Sequence, residues 1–147
     1  MKSKILILKW KNPLLKLLNW NGRNEACLNV MDTFGHAMWN RIIFNNDPDV
    51  VFIRSENCTL TENQKYLIAN VDELFGSQFM YSDDPGKAGK DEEIISNNIL
   101  AFSQKFQNEE FGITQISSDV YKIFSKSGKY KGIIDLGKNC KMEITEV

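Results

Sequence analysis

Apolar residues recur at three- and four-residue spacing in three stretches of this chain, and in short runs or two-residue alternation elsewhere. In the first stretch Ala26, Cys27, Val30, Phe34, Ala37 and Met38 form one stripe, which predicts a helix from about Arg23 to Asn40. His36 falls off that stripe, near Asp32, and reads as a surface histidine; Trp39 is expected to pack against a sheet. A second helix is predicted over Leu60–Phe75, with Leu67, Ala69, Val71, Leu74 and Phe75 inward and Gly76 as terminator. Its start carries two possible capping boxes, Thr61 with Gln64 and Thr59 with Glu62. The third helix, about Lys90 to Gln107, has Ile94, Ile95, Ile99, Leu100, Phe102 and Phe106 as its expected buried set.

Between these helices lie short extended signals. Arg41–Phe44 and Ser77–Tyr81 read as brief strands, and Val50–Ile53 as either a further extended piece or a loop that packs down. Each of the two strands runs into an acidic, proline-containing turn, Asn45–Asp49 and Ser82–Gly86. Helix, strand, acidic loop, helix, strand, acidic loop, helix is the order of an α/β fold with parallel strands, in which ligand sites form beyond the carboxyl ends of the strands. Beyond Asn108 the pattern changes to β-prone runs at 112–117, 120–125, 130–136 and 141–147, with turns at Ser127-Gly128 and Gly137-Lys138-Asn139. The first residues are less patterned: Ile5–Leu8 is compatible with a short strand and Pro13–Leu18 with a helical turn.

Asn45 to Asn57 concentrates the candidate chemistry. Asp47 and Asp49 flank Pro48, and in an extended backbone residues two apart point to the same side. By itself Asp-Pro-Asp is ordinary turn chemistry, because Asp bonds its own backbone and Pro presets the turn. A Mg²⁺ or Ca²⁺ site built from Asp47, Asp49, Asp83 and Asp84 is chemically conceivable, since hard cations take oxygen ligands, but no recognisable ligand loop is present.

Composition narrows the classes. The 147 residues suffice for one ordinary core, and 18 Lys plus Arg against 19 Asp plus Glu give a net charge of -1, which makes no case for nucleic acid or an anionic membrane. Cys27, Cys58 and Cys140 are far apart and the one histidine has no second to chelate with, so neither a zinc site nor a disulfide framework is expected. The apolar run Ile5–Leu8 is too short for a secretory signal or a membrane span, which need ~7–15 and ~20 apolar residues. A cytoplasmic location and no cofactor are the resulting expectations.

Four blocks in fixed order then carry a resemblance: Asn46-Asp47-Pro48-Asp49, Leu60-Thr61-Glu62-Asn63-Gln64-Lys65-Tyr66-Leu67, Leu74-Phe75-Gly76-Ser77 and Ser82-Asp83-Asp84. Over about Asn24 to Asp84 the chain resembles the late part of α-galactosidases of the melibiase type, glycoside hydrolases of the clan of families 27 and 36. The resemblance implies the last strand–helix units of a (β/α)8 TIM barrel over residues 1–109, followed by an incomplete antiparallel β domain over 110–147. Arg41–Asn45 would be the seventh barrel strand and Gln78–Tyr81 the eighth, with their following loops on the catalytic face. Asp49 would line the galactose pocket, Asp47 brace its loop and Val50 lie against the sugar. Arg54 and Asp83 would serve the rim or supporting ion pairs.

The resemblance also implies what is missing. A retaining glycosidase needs two carboxyl groups ~5 Å apart, flanking the anomeric carbon. In the family these follow the fourth and sixth strands; Lys9–Pro13 looks like what comes after the acid/base loop, and no Asp or Glu precedes Glu25. Asp47 and Asp49 cannot replace the pair, because two same-side carboxylates on one loop cannot flank the anomeric carbon from opposite faces. The expectation is therefore a fragment that contributes one wall of an α-galactoside pocket, is inactive alone, and self-associates through exposed barrel edges. The competing expectation is a small independent α/β interaction module without glycosidase activity.

Overall fold

The structure, a computed structural model, describes residues 25–48, 50–137 and 140–147. The expectations for Ile5–Leu8, Pro13–Leu18 and the side chain of Asp49 lie outside the described residues. Three α-helices, α1 (Glu25–Ala37), α2 (Glu62–Phe75) and α3 (Lys90–Phe106), precede four strands, β1 (Phe111–Gln115), β2 (Val120–Ser125), β3 (Tyr130–Asp135) and β4 (Lys141–Glu146). A 3-10 turn, Pro85–Lys87, lies just ahead of α3. Among the described residues no helix is long and apolar enough to cross a membrane.

Helix α2 is the centre of the packing. Thr61 is its N-cap, in extended conformation: its hydroxyl accepts from the Gln64 N–H at 3.4 Å while Gln64 Oε1 accepts from the Thr61 N–H at 2.8 Å. That reciprocal pair satisfies donors the first helical turn leaves over. Leu67, Ile68, Val71 and Phe75 turn inward, and burying each side chain stabilises the fold by about 1.5–3 kcal/mol. The helix stops at Gly76, whose N–H reaches the Asp72 carbonyl at 2.8 Å. Gly76 has an ordinary φ of -85°, so its role is steric: a Cβ there would lie 2.5 Å from the Asp72 oxygen and 2.7 Å from Pro48 Cγ.

The strands form an antiparallel meander in the order β1-β2-β3-β4. Ile113 faces Ile123, Tyr121 faces Ile134 and Ile134 faces Met142, so apolar residues pair across the sheet. Gly128, at φ +77°, supplies the left-handed residue that the β2–β3 turn requires. Phe34 of α1 lies between the layers, edge-on to Phe75 at 5.6 Å and tilted against Tyr121 at 4.8 Å. Phe106 fixes the end of α3 in the same way, against Phe111 at 5.5 Å and Tyr130 at 5.1 Å. Helices and sheet thus share one continuous apolar cluster running from Val30 to Cys140.

This architecture corrects the barrel expectation. The described residues form three helices and one antiparallel sheet, and the two segments assigned to parallel barrel strands are not strands. Arg41–Ile43 is a turn in which Arg41 takes φ +63°, the Ile42 and Ile43 amides donate to the Trp39 carbonyl, and the Arg41 amide donates to Phe44. Its backbone groups are paired locally, so Ile42 and Ile43 point outward, 77% and 68% exposed, and Trp39 is 44% exposed instead of packed on a sheet. In the Gln78–Tyr81 segment only Tyr81 pairs, through an isolated parallel bridge to Val51. Periodicity cannot separate a turn from a strand in so short an apolar run, and one bridge does not propagate a ladder. Two members of the expected buried set of α3, Ile94 and Leu100, are exposed as well, because the helix meets the core through Ile95, Ile99 and Phe106, with Phe102 half-buried beside them.

Candidate functional site

The loop that follows α1 is pinned at Asn46. Its side-chain amide donates to the Thr33 carbonyl at 3.2 Å and the Phe75 carbonyl at 3.1 Å, its own N–H donates to Asn40 Oδ1 at 2.9 Å, and its carbonyl accepts from Ser77 at 2.8 Å. Asn40 Nδ2 donates to the same Phe75 carbonyl at 2.9 Å. The last carbonyls of a helix have no partner within it, and here two asparagines supply one. Asn46 is buried, whereas Asn45 and Asp47 on either side are exposed, and Pro48 is held against Gly76.

From Val50 the chain runs in alternation: Val51 and Ile53 are buried, Phe52 is half-buried and Arg54 exposed. Val51 donates its N–H to Met80 at 2.8 Å and accepts from Ser82 at 3.3 Å, which joins this segment to the residues before Asp83. Lys65 of α2, itself buried, donates from Nζ to the Ile53 carbonyl at 2.9 Å.

Asp83 completes the junction. Its Oδ2 accepts from the backbone N–H of Ile53 at 2.6 Å and of Arg54 at 3.0 Å, and its Oδ1 faces the Arg54 guanidinium at 3.5 Å. The Asp83 side chain is only 7% exposed. Arg54 also lies over the Phe52 ring, 4.5 Å from its centroid, so both its charge and its planar face are engaged. One residue on, the Ser55 N–H and hydroxyl both donate to Glu92 Oε1, at 3.0 and 2.6 Å, while Glu92 Oε2 accepts from Gly89.

These contacts enclose an open cleft of about 460 Å³ between the Arg54–Asn57 loop, Tyr81 to Asp84, and the first turn of α3. Lys87 lies on its lining. Burial, with the negative charges of Asp83 and Glu92, pushes the Tyr81 phenol above its ordinary value. The hydrogen bond from the Ser55 hydroxyl is the main reason that the Glu92 carboxyl lies below the usual carboxylate range.

Of the residues singled out in the sequence, Arg54 and Asp83 meet as an ion pair at the cleft. Asp47 is exposed and Val50 half-buried on the approach to it, and neither belongs to the cleft lining; Asp49 is outside the described residues. Asp84 accepts from the Gly86 N–H at 3.0 Å and sits 3.8 Å from Lys87. Among the described residues no group of His, Cys, Asp or Glu is placed to hold a metal ion.

Four contributors were missed by sequence reasoning. Glu92, three residues after the N-cap Gly89, carried a readable first-turn signal. Ser55, Tyr81 and the buried Lys65 carried none, since their roles arise from segments far apart in the chain. No protein-family model matches this chain, and no characterised protein matches it significantly in sequence.

Proposed function

We propose that this chain is an α-galactosidase-like protein that supplies one wall of a sugar-binding site and does not hydrolyse glycosides by itself. Asp49 faces the sugar, Asp47 braces its loop, Val50 offers an apolar contact, and the Arg54–Asp83 pair fixes the rim. What supports the reading is one juxtaposition. Asp83, in the Ser82–Asp84 block of the resemblance, bonds the Ile53 and Arg54 amides on the segment that continues from the Asn46–Asp49 block, and Arg54 and Asp83 both line the cleft.

The expected inactivity is supported by the engagement of three of the four carboxylates on the cleft lining, Glu56 being the fourth. Asp83 holds two backbone amides and a guanidinium, Glu92 holds Ser55 and Gly89, and Asp84 holds Gly86. A glycosidase nucleophile and acid/base must instead be free to address the anomeric carbon and the leaving oxygen. The purified chain is expected to leave an aryl α-galactoside intact; robust turnover that Asp49→Asn abolishes contradicts the proposal.

A second reading, a small α/β interaction module, is favoured by the single apolar cluster that helices and sheet share. A sharp, monomeric thermal transition that galactose does not shift supports it over the first.

A further inference from the structure

Three consecutive backbone amides, those of Ile53, Arg54 and Ser55, donate to side-chain carboxylates from other parts of the chain. The first two share Asp83, whose carboxylate is nearly enclosed; the third belongs to Glu92, on the first turn of α3. Loop and helix therefore form opposite walls of the cleft, bridged at the Ser55–Glu92 contact. We propose that Glu92 is a releasable latch: its ionised carboxylate closes the Arg54–Asn57 loop onto α3, and loss of that charge frees the loop while the Asp83 anchor stays in place.

The chemistry lies in the count of donors. Ser55 N–H, Ser55 hydroxyl and Gly89 N–H all converge on the two Glu92 oxygens, at 3.0, 2.6 and 3.0 Å. An ionised carboxylate is acceptor only and can take all three; once protonated, one oxygen becomes a donor and a poor acceptor. Arg54 and Lys87 line the same cleft and favour the charged form, as does Lys90 on the same helical turn, whereas Asp83, Asp84 and Glu56, also on the lining, oppose it, as do Asp91 and Glu93 on that turn. The Tyr81 hydroxyl stays neutral against them. The Ser55 hydroxyl bond decides the balance and holds the Glu92 carboxyl down. With a depressed folded value, the latch is closed at and above the ordinary Glu pKa, ~4.3, and opens only as pH falls below it.

The proposal is independent of the sugar reading, because it is read on the full chain without ligand. Amide hydrogen exchange followed by NMR compares wild type with Glu92→Ala, Ser55→Ala and, as a control on the same turn, Glu93→Gln. In Glu92→Ala the Ser55 amide should exchange about tenfold faster or more while Ile95–Ile99 and the strands keep their protection. Ser55→Ala should give a smaller change in the same amide and Glu93→Gln none. In wild type, lowering pH from about 6 to about 3 should shift the Ser55 amide resonance with a midpoint below the ordinary Glu value. Unchanged Ser55 protection in Glu92→Ala overturns the proposal, as does a Ser55 resonance indifferent to pH; the titration holds the test open to refutation even if the variant fails to fold.

Discussion

Asp83 Oδ2 accepts the Ile53 amide at 2.6 Å, joining two positions 30 residues apart in the chain. Because Ile53 is wholly buried, the carboxylate stands in for the backbone acceptor that a neighbouring strand would otherwise provide. Asp83→Ala leaves the Ile53 and Arg54 donors unsatisfied and should destabilise the fold by about 1–3 kcal/mol. Asp83→Asn, which keeps an acceptor oxygen, should cost less. Chemical denaturation of the two variants checks the order; equal stability with wild type would falsify the anchor role.

Asn46 gives a sharper test, because it donates where a carboxylate cannot. Asn46→Asp preserves size but sets an acceptor against the Thr33 and Phe75 carbonyls, so it should destabilise at least as much as Asn46→Ala, by about 1–3 kcal/mol. Denaturant midpoints for both variants settle this. An Asp variant as stable as wild type is incompatible with the hydrogen bonds described.

Gly76→Ala separates a steric requirement from a conformational one. Its φ of -85° is open to alanine, yet the added Cβ meets the Asp72 oxygen and Pro48. The expected loss is about 1–3 kcal/mol, the usual cost of overpacking. Because Pro48 supplies part of the clash, Pro48→Ala should recover some of that loss in the double variant, read as a non-additive change in a thermal or denaturant cycle.

Ile42→Lys should be nearly neutral, within about 0.5 kcal/mol, since the side chain is already in solvent. Had Arg41–Phe44 been a strand covered on both faces, the same change would have buried an unpaired charge and cost several times more. A thermal melt of this one variant distinguishes turn from strand.

The elements with sustained periodicity were legible. The helices Glu62–Phe75 and Lys90–Phe106 fall within a residue or two of their expected bounds, and the Thr61–Gln64 box was readable because capping is a local rule. The four C-terminal strands were announced by glycine-marked turns and alternation. Arg41–Phe44 was misread because an apolar run of that length has no period, and its exposure follows from local hydrogen bonds to Trp39. The parallel architecture inferred from it fell with it. The Ser55–Glu92 and Ile53–Asp83 contacts, which build the cleft, join positions 37 and 30 residues apart, and no local pattern encodes such pairs.

The most direct measurement is an NMR titration of the full chain with D-galactose, with an unrelated polyol as control. Saturable shifts confined to residues around Asn45–Asn57 and Tyr81–Glu92, weakened by Asp49→Asn and absent with the polyol, are the predicted result. Galactose concentrations that leave every one of those resonances in place would contradict the sugar-facing assignment.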